Sequence, residues 1–208
     1  MRVLFCDLGG CFLSNAWDHA ARRRACEKFG IDPGRFEVLH ASVAEGFEKG
    51  SLTLAEYLAR TVFAVGSPVA VSGEEFMDFM KSCSGKLGDA LDVLVDFRRE
   101  HPVRCVVLNN ESRELNEFRI DKFGLRETFD AFFSSCYLGL RKPEAAIYRL
   151  AIEVTGANPQ ESLLIDDREE NLGPAADLGM QTFLFDPAGL ARRLRAWSGT
   201  PSEATGGR

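Results

Sequence analysis

Four short apolar runs in this chain each stop at polar side chains, and no other feature constrains its fold as tightly. Val3-Leu4-Phe5-Cys6 stops at Asp7, with Gly9 and Gly10 close behind. Arg104-Cys105-Val106-Val107-Leu108 runs into Asn109-Asn110-Glu111-Ser112. Ala131-Phe132-Phe133-Ser134 is followed by Gly139-Leu140-Arg141-Lys142-Pro143, and Ser162-Leu163-Leu164-Ile165 stops at Asp166-Asp167. Uninterrupted apolar runs of this length are characteristic of strands buried on both faces of a parallel sheet. Helical patterns separate the later runs. One covers about 86–100 (Leu87, Leu91, Leu94, Val95) and another 113–123. A third carries Ile147, Leu150, Ala151 and Val154 between Pro143 and Gly156, and a fourth carries Leu172, Ala175 and Ala176 ahead of Gly179. Gln181–Phe185 and a last helix through Leu190, Leu194 and Trp197 complete the alternation. The order predicts an α/β fold, a Rossmann-like parallel sheet with helices on both faces.

Residues 14–84 interrupt that alternation with helices only. Trp17, Ala20, Ala21 and Phe29 share a face that Gly30 closes. Asp32-Pro33 reads as an N-cap with proline at the first helical position. Phe36, Leu39, His40, Val43 and Phe47 follow at helical spacing, and Thr53 with Glu56 and Ser72 with Glu75 form capping-box patterns. The run Arg22-Arg23-Arg24 reads as a solvated helix face. The division predicted is a core of 1–13 and 85–197, a small all-helical unit of 14–84 inserted after the first strand, and a disordered tail, 198–208, rich in Gly, Ser, Thr and Pro.

Composition narrows the function classes. A net charge of -6 over 208 residues argues against nonspecific nucleic-acid binding, which needs a basic surface. No apolar run approaches the ~18 residues of a membrane helix. Met1-Arg2-Val3 leads straight into the first strand, so no signal peptide is expected. The six cysteines show no CxxC spacing, and several lie in apolar runs. They read as reduced thiols of a cytoplasmic protein rather than a disulfide framework or a zinc site. A monomer or homodimer is expected.

In a parallel sheet the C-terminal strand ends share one edge, where ligands bind. That brings Asp7, Asn109, Asn110, Lys142, Asp166 and Asp167 together. Each alone reads as a turn residue, a cap or a surface charge, but all at strand ends they read as a site. Three carboxylates in one cleft repel one another, and a hard cation such as Mg²⁺ relieves this with carboxylate, water and phosphate oxygens. Lys142 can pair with Asp7 and a bound anion. Asn109 can donate to a phosphate oxygen, and a carboxylate such as Asp7 can attack phosphorus.

These motifs resemble those of the haloacid dehalogenase superfamily. Leu164-Ile165-Asp166-Asp167-Arg168-Glu169-Glu170-Asn171, followed by Ala175-Ala176-Asp177-Leu178-Gly179-Met180, matches the family's fourth motif, and Gly139–Glu144 matches its third. The chain is most similar to small phosphatases like the amino-terminal domain of soluble epoxide hydrolase and to bacterial sugar-1-phosphate phosphatases. The resemblance implies a Mg²⁺-dependent phosphatase of a small phosphorylated metabolite. Asp7 would be the nucleophile, with Asn109, Asn110, Lys142, Gly9 and Gly10 around the phosphoryl group. Asp7, the Gly9 carbonyl, Asp166 and Asp167 would hold the metal, and the insert would be the family's helical cap. Two positions depart from the pattern. Gly9 stands where the family's phosphatases carry an acid/base Asp, and Asn109 stands where they carry Ser or Thr. Glu111 is a candidate substitute acid. The competing readings are a catalytically weak or inactive binding protein and a dehalogenase in which Asp7 attacks carbon.

Overall fold

The structure is a computed structural model that describes residues 1–66 and 71–199. Its centre is a parallel five-stranded sheet in the order β3-β2-β1-β4-β5. The strands are β1 Val3–Cys6, β2 Arg104–Asn109, β3 Ala131–Ser134, β4 Leu163–Asp166 and β5 Gln181–Leu184. The first strand in the chain is the middle strand of the sheet. It pairs with β2 (Val3 opposite Arg104) and with β4 (Leu4 opposite Leu163).

Alternate strand residues face opposite ways, and both faces are apolar, so both are covered. Leu4, Cys6, Cys105, Val107, Leu163 and Ile165 pack in one cluster with Leu94 and Phe97 of α6 (Ala90–Glu100) and with Leu190, Leu194 and Trp197 of α12 (Pro187–Ser198). Val3, Phe5, Val106, Leu108 and Leu164 pack on the other face, against Ile147, Tyr148 and Ala151 of α10 (Ala145–Thr155) and Leu172 and Ala175 of α11 (Glu169–Asp177). Between β2 and β3 lie α7 (Arg113–Lys122) and α8 (Leu125–Thr128), and the short α9 (Ser135–Leu138) follows β3.

Between β1 and α6 the described residues form helices only: α1 His19–Phe29, α2 Pro33–Glu48, α3 Leu54–Arg60, α4 Val62–Val65 and α5 Gly73–Ser82. They enclose an apolar cluster of their own, including Phe29, Phe36, Phe47, Tyr57, Phe76 and Met80, and Leu115 of α7 joins it. Asp32 caps α2 with Pro33 behind it, and both capping boxes form. The chain leaves and re-enters the sheet side by side. Ser14 N–H donates to Gly85 O at 2.9 Å and Gly85 N–H to Ser14 Oγ at 2.9 Å.

Several boundaries shift from expectation. Trp17 lies outside α1, because Asp18 caps that helix by accepting from Ala21 N–H. The helix expected from 86 begins at Ala90, since Lys86 pairs with Leu13 in a short bridge. The helix expected from Pro143 begins at Ala145 with Glu144 as N-cap, and Pro143 sits in a turn closed by Glu144 N–H to Arg141 O at 2.9 Å. One-turn helices such as α4, α8 and α9 are too short to show a period in the sequence. Ser198 ends α12, and residues 200–208 of the expected tail lie outside the described residues.

Candidate active site

Asp7 sits one residue past β1, its N–H still bound to Ile165 O at 2.9 Å. Its side chain is held by Lys142, whose Nζ lies 2.7 Å from Asp7 Oδ1 and 2.5 Å from Asp166 Oδ2. Lys142 is 1% exposed and Asp166 0%. Burial alone would lower the Lys142 ammonium, but the two carboxylates outweigh it and hold the lysine charged. Burial pushes the Asp7 carboxyl up to about 6; Lys142 pulls it down, and Asp166 adds a further push upward. The other oxygen of Asp166 accepts from Arg168 N–H at 2.9 Å and from Asn171 Nδ2 at 2.8 Å. Asp166 is thereby turned inward as the post that anchors Lys142.

Asp167 points the other way. It forms a group with Asp7 and Cys11 whose ligand atoms all lie within 4.8 Å of one another. Burial, then the neighbouring Asp166, raises its carboxyl. Burial and the adjacent carboxylates push the Cys11 thiol far up, and a sulfur donor is soft, whereas carboxylate oxygens are hard. The hard side-chain donors of the group are the oxygens of Asp7 and Asp167, which fit a hard divalent cation. Gly10 makes their approach possible. Its φ of 77° is left-handed, and any Cβ there would fall on Asp167 Oδ2.

The second-motif residues take different positions from one another. Asn109 is 2% exposed, donates from Nδ2 to Asn116 Oδ1 at 3.1 Å, and does not line the cleft. Asn110 does line it, and pairs reciprocally with the Lys142 main chain at 2.8 Å in both directions. Its role is to fix the backbone from which Lys142 reaches inward. Gly9 lines the cleft, whereas the Gly10 N–H is spent on Leu13 O at 2.8 Å. Glu111 Oε2 lies 2.5 Å from Arg119, and its Oε1 accepts from Ser112 N–H at 3.0 Å.

The cleft over Asp7 measures about 320 Å³, and its far wall comes from the helical insert. Trp17, Arg22, His40, Phe47 and Glu48 line that wall. Trp17 Nε1 donates to Tyr57 Oη at 2.9 Å, and His40 Nδ1 lies 2.8 Å from the same oxygen. Burial, then Arg22, pushes His40 down to about 4, so the ring is neutral. Burial raises the Glu48 carboxyl, which sits 3.1 Å from Arg141 across the cleft. Arg22 departs from the solvated face expected of it: it binds Glu37 at 2.8 and 3.0 Å and Trp17 O at 2.8 Å, leaving only Arg23 and Arg24 exposed. Arg119 had no part in the sequence reading. Its signal was a charged residue on the buried face Leu115, Asn116, Arg119, Ile120 of α7.

A family profile described as haloacid dehalogenase-like hydrolase matches residues 2–179. The chain belongs to the haloacid dehalogenase-like hydrolases. Within that family it is 36% identical to bifunctional epoxide hydrolase 2 of Rattus norvegicus over 100 residues, 46% of this chain and 18% of the rat protein. It is 28% identical to flavin mononucleotide hydrolase 1 of Arabidopsis thaliana over 167 residues, 76% of this chain and 63% of that protein. The chain thus spans under a quarter of the length of the mammalian epoxide hydrolases it matches. A haloacid dehalogenase family enzyme of Bacteroides thetaiotaomicron, solved as its magnesium complex, superposes with a TM-score of 0.75. It is 24% identical, over 88% of this chain and 92% of its own, which establishes the shared fold. Among the described residues no helix is long and apolar enough to cross a membrane.

Proposed function

We propose that this hydrolase is a Mg²⁺-dependent phosphatase of a small phosphorylated metabolite, acting through an aspartyl phosphate on Asp7. The observation that carries the reading is the chain Asp166–Lys142–Asp7, with Asp167 facing Asp7 across Gly10. Lys142 holds Asp7 Oδ1, and Asp7 Oδ2 has no hydrogen-bond partner among the described residues. That oxygen is the one free to attack phosphorus. Lys142 then offsets the charge that builds on the phosphoryl oxygens in the transition state, and its own charge is secured by Asp166. Asp7 and Asp167 would hold Mg²⁺, which supplies Lewis-acid neutralisation of the phosphoryl group. Asn110 keeps the Lys142 backbone in register for this task.

Two curated relatives carry names of phosphate-ester chemistry, the Arabidopsis flavin mononucleotide hydrolase and a ribulose-1,5-bisphosphate 5-phosphatase of Halopiger xanaduensis. The cleft volume of about 320 Å³ suits a compact substrate. The helical insert, 14–84 in the sequence, acts as a cap that closes over that substrate and excludes water. The test is hydrolysis of p-nitrophenyl phosphate with and without Mg²⁺, beside chloride release from 2-chloropropionate. Phosphate release that needs Mg²⁺ and is abolished in Asp7→Asn and Asp167→Asn is expected. Chloride release without phosphate release would overturn the reading in favour of attack on carbon.

A further inference from the structure

The structure places a fixed positive charge beside the position where a phosphatase of this kind would need a proton donor. A Cβ built on Gly9 would lie 2.7 Å from Asn15 Oδ1, the tip of a side chain, and 4.0 Å from Arg119 Nη1, so the group that stands nearest this position with a charge is the Arg119 guanidinium. Arg119 is 3% exposed and lines the same cleft as Asp7 and Lys142. It is anchored at both ends of its guanidinium. Nη1 lies 2.5 Å from Glu111 Oε2, and Nη2 donates to Ser14 O at 2.7 Å. Its Nε is buried and has no protein partner. Glu111 is itself held by Ser112 N–H at 3.0 Å. A buried N–H without a partner is costly, and this one belongs to a residue of the cleft wall, where a bound ligand can supply an acceptor.

We propose that Arg119, held by Glu111 and Ser14, stabilises the leaving oxygen as an anion in place of a proton donor, and that the enzyme therefore selects phosphate esters whose leaving groups depart as anions. The inference rests on the phosphatase reading above. In the step concerned, a bond forms between an Asp7 oxygen and phosphorus while the bond from phosphorus to the leaving oxygen breaks. The electron pair of that bond stays on the leaving oxygen. A guanidinium does not give up a proton at neutral pH, so the oxygen leaves charged and takes its proton from water afterwards. A preorganised donor fixed beside developing charge is an effective substitute. Carboxylates and phenolates satisfy the requirement, which makes acyl and aryl phosphates the substrate class. Simple alkyl phosphates fall outside it. Glu111, one candidate for a replacement acid in the sequence, is instead the anchor of the charge.

The test is a series of aryl phosphates of graded leaving-group acidity plus one alkyl phosphate, with kcat/KM measured for wild type, Arg119→Met and Glu111→Gln. Wild type should cleave the aryl esters faster as the leaving group becomes more acidic, and the alkyl ester slowest. Arg119→Met should steepen that dependence, losing about 10²–10³-fold on the poorest aryl leaving group and less on p-nitrophenyl phosphate. Glu111→Gln keeps the side-chain shape and should steepen it to a smaller degree. It carries the test if Arg119→Met fails to fold, as judged by circular dichroism. A purely structural role would lower all substrates by one factor and leave the slope unchanged, and that result overturns the proposal. So does a wild type that cleaves alkyl and aryl esters equally fast, while leaving the phosphatase reading intact. Loss of phosphate release from every ester, with chloride release instead, would overturn both.

Discussion

Lys142 is the residue on which the site depends most. Its ammonium is buried between Asp7 and Asp166, at the floor of the cleft. Removing one partner of such an arrangement leaves charge buried and uncompensated, which costs far more than the pair itself contributes. Lys142→Met should therefore cost about 3–5 kcal/mol in urea unfolding at pH 7. Asp7→Asn should behave oppositely. It removes one of three neighbouring carboxylates, the one whose ionisation burial opposes most visibly, and leaves Lys142 paired with Asp166. Its melting temperature in the presence of EDTA should equal or exceed that of wild type while turnover disappears. A melting temperature well below wild type would mean that Asp7 stabilises the fold as well as serving the chemistry. Such a gain in stability on loss of a functional charge is the usual trade at an active site. The sequence showed which residues meet here because strand ends of a parallel sheet must meet. It did not show which way each side chain turns. Asn109 and Asn110 are adjacent, yet one faces Asn116 of α7 and the other the Lys142 backbone. That choice depends on partners 7 and 32 residues away, which a strand-end argument does not contain.

The helical insert meets the sheet side of the cleft through a few polar contacts that act as a latch. Glu48 faces Arg141 at 3.1 Å, Lys49 faces Glu144 at 2.7 Å, and Ser135 Oγ donates to Glu48 O at 2.7 Å. Gly50 makes the closest approach. It has a φ of 70°, and a Cβ there would fall on the Cys136 carbonyl oxygen. That oxygen is backbone and has little freedom to retreat. Gly50→Ala should hold the latch apart, raising KM several-fold with unchanged sheet signals in circular dichroism and a larger radius of gyration by X-ray scattering. An unchanged radius and KM would show that the loop absorbs the methyl group without moving the insert. The helices themselves were readable because their signals are local: Asp32-Pro33, Thr53 with Glu56, and Ser72 with Glu75 all form the caps their sequences specify. Arg22 was misread for the same reason. Its two neighbours in sequence are exposed, and nothing local distinguishes the arginine that turns toward Glu37.

Across the whole molecule, the alternation of apolar runs with helical periods made the sheet and its two covered faces legible. Strand order was less so, since apolar runs do not state their neighbours. The order observed puts the earliest strand at the centre. Residues 3–6 cannot pair until 104–109 or 163–166 have been brought to them. The apolar cluster of the insert, by contrast, draws almost entirely on residues between Ala16 and Met80. Closing short loops costs less entropy than closing long ones, and contacts near in sequence form sooner. In pulsed hydrogen exchange during refolding, amides of α2 and α5 should be protected before those of β1, and protection of β1 first would contradict this order. Asp7 then has a history as well as a place. In that order Asp7 lies beside an insert that has already condensed, and it gains its lysine only when the strands around it have paired. Until then the buried pair of Lys142 and Asp7 does not exist, and the cleft that both residues line is incomplete.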